Sequence, residues 1–135
     1  MKQSEPLNTW LFVAHVLLHL SSLKVGEKSW WCVDRRCKAG EKAIIYQPHK
    51  GVRLLVEILD FSARPEGFCT GYAMNTANVK LLQIFDPPVT AKQLKSSKYV
   101  NGEGFIGKNF QGKAFLIRSP QAFKAIISME QTKKK

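Results

Sequence analysis

The sequence predicts one α+β domain, a small mixed β-barrel of five strands flanked by short helices, and three observations carry that reading. The segment 37–60 reads as a complete β-hairpin. Strand-like runs at 9–16, 78–85 and 114–117 are separated by Gly, Pro and Ser clusters too short to hold long helices. Helix signals are confined to three brief stretches.

In the hairpin, Gly40 supplies a turn conformation that a Cβ opposes, and 43–46 is an apolar run of β-formers. Turn residues at 48–51 break it. Val52, Leu54, Val56 and Ile58 then alternate with Arg53, Leu55, Glu57 and Leu59, a second and longer strand. Upstream, 1–7 reads as a tail, 9–16 as a strand with Trp10 in the core, and 17–23 as a short helix once the branched residues give way to Leu and Ser. A polar loop, 24–29, delivers the chain to Trp30-Trp31. Downstream, 62–77 reads as a surface excursion and 78–85 as a strand ended by Pro87-Pro88. Thr90 can N-cap a helix through 94–97, and 101–112 is a Gly-rich ordered loop. Strand 114–117 precedes Ser119-Pro120, a helix start with Phe123, Ile126 and Ile127 on one face. The domain therefore spans 8–129, with a basic tail at 130–135.

A chain of 135 residues buries roughly two-thirds of its unfolded surface, enough for a core. Twenty-one Lys and Arg against ten Asp and Glu give a net charge of +11. Such a surface attracts polyanions, with nucleic acid the leading class. Three cysteines are too few for a disulfide framework, so reduced thiols are expected. The apolar run 7–20 is interrupted by Asn8, His15 and His19 and is too short to span a bilayer. It lacks a clean cleavage site as well. The expectation is a cytoplasmic monomer that does not engage membranes.

The order of pieces resembles an EVE domain of the PUA-like superfamily, the group that includes the YTH readers of methylated RNA. The resemblance rests on Thr9-Trp10-Leu11-Phe12, Trp30-Trp31, the run from Lys38 to Tyr46 with its Gly40-Glu41 turn, Pro88-Val89-Thr90, and the run from Phe110 to Ile117 followed by Ser119-Pro120. Glu41 stands where the family more usually has Asp. Ala14-His15-Val16-Leu17-Leu18-His19 replaces the family's polar acidic stretch. The resemblance implies a PUA-like five-stranded mixed β-barrel with an aromatic pocket suited to a modified, for instance methylated, base of DNA or RNA.

Trp30, Trp31 and Tyr46 are the expected base contacts, because aromatic faces sandwich a flipped base. Neighbours on an extended segment point to opposite sides, so one tryptophan lines the pocket and the other packs in the core. Phe110 and Gln111 can add stacking and edge hydrogen bonds. Arg35, Arg36, Lys38, Lys42, Lys50 and Arg53 cluster in sequence about the hairpin and form the expected phosphate rim. The lysine-rich C-terminal third, opposed by Glu103 and Glu130, offers a further surface for a backbone. Asp34, Glu41, Glu57 and Asp60 are scattered among cations and read as surface pairing. His15, His19, Cys32 and Cys37 lack structural zinc spacing, so neither metal nor cofactor is expected. No catalytic dyad, P-loop or dinucleotide fingerprint is present. The leading expectation is a binding module and not an enzyme. The alternatives are a nucleotide-processing enzyme using Cys32 or Cys37, and an interaction domain for an acidic protein.

Overall fold

The computed structural model describes residues 7–15, 17–61 and 74–129. Its fold is mixed α+β, with a curled six-stranded sheet forming a half-barrel and a few short helices. The strands are β1 (Thr9–Val13), β2 (Lys28–Asp34), β3 (Lys42–Gln47), β4 (Gly51–Phe61), β5 (Met74–Val89) and β6 (Ala114–Ile117). Their order across the sheet is β2-β5-β4-β3-β1-β6. A 3₁₀ turn covers Leu18–Ser22, and the α-helices are α1 (Ala91–Ser96), α2 (Gly104–Gly107) and α3 (Pro120–Ser128).

The sixth strand corrects the expectation of five. Segment 28–34 carries two charged ends and shows no clean alternation, yet it pairs antiparallel with β5 from Lys28↔Lys80 to Asp34↔Met74. Long-range pairing outweighs weak local signal here. β5 in turn begins at Met74, inside the expected excursion, whose remaining positions 62–73 lie outside the described residues. It also runs past Pro87-Pro88 to Val89. The ladder with β4 jumps from Leu54↔Ile84 to Val52↔Val89, so both prolines occupy a bulge that asks no amide of them.

β4 is irregular at the same place. Leu54, Val56 and Ile58 share a core with Trp10, Phe12, Trp31 and Val79, whereas Val52 joins the opposite core. Ile45 pairs with Leu54 but Tyr46 with Val52, so Arg53 is one extra residue of β4 and reverses the facing across it. The second core lies under the helices and contains Tyr46, Phe85, Leu94, Phe105, Phe110, Phe123 and Ile126. Beside the bulge, Gly51 has φ +123, and a Cβ there would stand 2.2 Å from the Val89 carbonyl oxygen. Only glycine lets the hairpin approach so closely.

Local signals at the helices hold. The Thr90 hydroxyl accepts from the Gln93 amide while the Gln93 side chain accepts from the Thr90 amide, a capping box. Ser119 caps α3 with Pro120 at its first position, and Phe123 and Ile126 are buried. The Gly-rich loop is ordered and contains α2.

Three carboxylates expected near the surface, Asp34, Glu41 and Glu103, are instead buried. Glu41, with no exposure, accepts from the Asn8 amide at 3.0 Å, Trp10 Nε1 at 2.8 Å and the Lys38 amide at 3.0 Å. It ties the start of β1 to the turn before β3. Glu103 accepts from the Arg118 and Ser119 amides at 2.8 and 3.0 Å and joins the glycine loop to the end of β6. Among the described residues no helix is long and apolar enough to cross a membrane.

Candidate nucleic-acid interface

β1 and β3 run parallel, and both end at one rim of the sheet, where Val13 pairs with Tyr46. The Ala14 amide donates to the Tyr46 carbonyl at 2.9 Å, and Gln47 Nε2 donates to the His15 carbonyl at 2.9 Å. These bonds carry the chain of both strands outward together. A pocket of about 530 Å³ opens there, lined by His15 and Tyr46, by Pro48 and His49 of the β3–β4 turn, by Ala91 of α1 and by 109–112. Its volume is that of a site for a nucleotide-sized ligand.

One wall is aromatic. The Tyr46 and Phe110 rings stack at 4.0 Å with an interplanar angle of 8°, and Phe105 continues the row at 5.7 Å from Phe110. Burial pushes the Tyr46 hydroxyl pKa up, which keeps it a neutral donor. The loop that presents Phe110 is held in an uncommon backbone. Asn109 and Phe110 have φ of 53 and 60, the left-handed region, and Gly112 follows with φ 147. For a bulky residue such a conformation costs of order 1–3 kcal/mol. It is sustained by the Phe110 amide donating to the Phe105 carbonyl at 2.8 Å and by Lys95 Nζ donating to Asn109 Oδ1 at 3.1 Å. Gln111 stands exposed at the mouth with its amide available to a ligand edge.

Of the expected base contacts, Tyr46, Phe110 and Gln111 meet in this pocket and the tryptophans do not. β2 lies three strands away from β3, about 14 Å along the sheet. Trp31 is buried in the core on the opposite face from Tyr46, and Trp30, half-buried, is at the sheet edge opposite Asn78. Trp10 packs in the core as expected.

The expected phosphate rim is split in the same way. Arg35, Arg36 and Lys38 occupy the β2–β3 connection, and Lys42 opens β3, about 13 Å along the strand from Tyr46. Arg36 is engaged there: it pairs with Asp34 through two contacts of 2.9 and 3.0 Å and lies 5.2 Å above the Trp10 ring. The guanidinium in turn holds the Asp34 carboxyl below its ordinary value. Lys50 and Arg53 are at the pocket end. They border an adjoining groove of about 330 Å³ beside Phe85 and Asp86, and Arg53 donates to Gln47 Oε1 at 2.6 Å. A hairpin has two ends, and closeness in sequence does not say which end a residue occupies.

The thiols offer little chemistry. Cys32 is disulfide-bonded, against the expectation of reduced thiols. Cys37 is free and buried, and burial pushes its pKa up to about 12, far from a nucleophilic thiolate. Among the described residues no three His, Cys, Asp or Glu gather to hold a metal.

The sequence reading missed His15, His49 and Asn109 as pocket residues. His49 and Asn109 carry a weak signal, since histidine and asparagine are enriched at left-handed positions and both adopt one here, with φ of 70 and 53.

No protein-family model matches the chain, and no curated protein sequence matches it. Solved structures do resemble it. A hypothetical protein from Leishmania major is 16% identical with a TM-score of 0.71, covering 96% of this chain and 98% of that one. A protein from Agrobacterium tumefaciens is also 16% identical, with a TM-score of 0.66 over 92% of this chain and 93% of its own. One from Pseudomonas syringae reaches 0.68 at 14% identity over 90% and 99%. At such identities the likeness establishes the fold: this half-barrel, over nearly the full length, is shared with proteins of distant organisms.

Proposed function

We propose that the protein is a non-catalytic nucleic-acid-binding module of the PUA-like, EVE type that holds a modified base in the Tyr46–Phe110 pocket. The observation that carries the reading is that aromatic wall at the end of two parallel strands, with the Gln111 amide at its mouth. The curled sheet is compatible with the barrel that the sequence resemblance implies. An aromatic wall provides a face for the base, and each extra methyl buried against it adds about 0.8 kcal/mol. Gln111 has both a donor and an acceptor for a base edge. Lys50 and Arg53 hold the adjacent phosphate from the hairpin side, in place of the wider rim of six cations.

The test is a titration of short DNA and RNA oligonucleotides, each with and without methylated cytosine or adenine, at rising salt. A preference for one modified oligonucleotide that persists at high salt, and that Gln111→Ala removes, is expected. Trp31→Ala should lower stability and leave the preference intact. Equal binding of modified and unmodified strands at every salt concentration refutes the pocket.

A further inference from the structure

Between Pro87 and Met129 the chain has six lysines and one arginine, all exposed, and a single acid, Glu103. Glu103 is 5% exposed, and both its oxygens are taken by backbone amides. Every exposed charge of this third of the molecule is therefore positive. The sequence alone assigns Glu103 and Glu130 to offsetting the cations of the C-terminal third; burial takes Glu103 out of that role, and Glu130 lies outside the described residues.

The cations border a channel. One shallow groove of about 430 Å³ is lined by Lys92, Ser96 and Ser97 on the α1 side and Met129 at the end of α3. Another, of about 290 Å³, is lined by Tyr99, Gln121, Lys124 and Ser128. Ser128 and Met129 are adjacent, so the two run on into one shallow path between α1 and α3. Its floor is mainly apolar and its borders carry the cations. Tyr99 is 50% exposed beside it, with Lys98 Nζ 5.2 Å from its ring centre. The path reaches the pocket through Lys95, which is bonded to Asn109 of the pocket lining.

We infer that this α1–α3 channel is the track of a single-stranded nucleic acid, with Lys92, Lys98 and Lys124 on phosphates and an unpaired base stacked on Tyr99. The inference deepens the pocket reading and takes its strand direction from it. Lysines alone suit any polyanion, but an exposed ring set among them suits a base, which always offers a π-face.

The experiment measures binding of fluorescein-labelled dT12 and rU12 between 50 and 200 mM salt. Each phosphate contact on a single strand contributes about 0.7 to the slope of log K against log salt. Lys92→Ser/Lys98→Ser/Lys124→Ser should make the slope shallower by about 2 and weaken low-salt binding at least tenfold. Tyr99→Ala should cost at least about fivefold with the slope unchanged, and Tyr99→Phe should restore it. The control Lys24→Ser/Lys28→Ser/Lys80→Ser removes the same charge far from the channel and should leave the slope within about 0.5 of the parent. An equal fall in slope for both triple variants overturns the track, as does absence of oligonucleotide binding by the parent. Displacement by poly-glutamate as efficient as by dT12 overturns it in favour of an acidic protein. The two readings separate cleanly: loss of slope without any modified-base preference refutes the pocket alone, and a Gln111-dependent preference with an unchanged slope in the triple variant refutes the track alone.

Discussion

Replacing Glu41 tests the internal tie that sets the start of β1 against the turn before β3. Its carboxylate has no exposure and accepts three hydrogen bonds, from the Asn8 amide, Trp10 Nε1 and the Lys38 amide. In Glu41→Ala the indole N–H of the 1%-exposed Trp10 is left buried without an acceptor, at about 1–3 kcal/mol. Asn8 and Lys38 are exposed residues, so water can meet their amides and each loss is about 0.5–1 kcal/mol. The one missing methylene adds about 0.8 kcal/mol. The expected destabilisation is roughly 4 kcal/mol, a fall in Tm of about 10–15 °C for a domain of this size. Glu41→Gln keeps the shape. Its carbonyl can serve Trp10 and Lys38, while its amide opposes the Asn8 N–H, for a cost of about 1–2 kcal/mol. Urea unfolding followed by tryptophan fluorescence, with the slopes compared, measures both. An alanine variant within 1 kcal/mol of the parent, or a glutamine variant as damaged as the alanine one, refutes the clamp.

Phe110 has φ 60, where glycine is the unstrained residue, so Phe110→Gly should be about 1 kcal/mol more stable than Phe110→Ala, the reverse of the usual order; equal stabilities in urea unfolding refute the strain. Cys37, with a pKa of about 12, has about one ten-thousandth of its population as thiolate at pH 8, so iodoacetamide should label it no faster than the protein unfolds. Burial that raises this pKa from 9.0 contributes stability present below pH 9 and lost as pH rises toward 12, so Cys37→Ser should flatten that alkaline limb in a pH series of urea midpoints. Asp34 has the opposite sign: Arg36 depresses its pKa below 3.8, so the stability it contributes is present above that value and lost on acidification beneath it. Asp34→Asn should remove that part of the acid limb, and an unchanged limb in the same series refutes it.

Much of the fold was legible before any coordinates. The hairpin, the opening strand and the last strand follow from runs of β-formers and from turn residues, and the Thr90 and Ser119-Pro120 caps are chemistry confined to four residues each. Part of the pocket lining is legible as well, in Tyr46, Phe110 and Gln111, whereas adjacency to the hairpin does not bring Trp30 and Trp31 to it.

What the sequence by itself determines is therefore local: which segments are strands, where helices begin, and a charge of +11 that sets the class of partner sought. What only the tertiary structure decides is which ends and faces coincide. The strand order brings β1 beside β3, and so Val13 beside Tyr46, while leaving Trp31 on the other face. The extra residue Arg53, opposite Ile45 and Tyr46 of β3, reverses the facing of Val52 relative to Leu54, and no count of alternating residues reveals that. Burial of Glu41 and Glu103 turns two apparent surface acids into internal ties, and with Glu103 buried every exposed charge between Pro87 and Met129 is positive. The reason is common to all three: side-chain period and charge are properties of neighbours along the chain, whereas burial and facing are set by pairings between residues tens of positions apart.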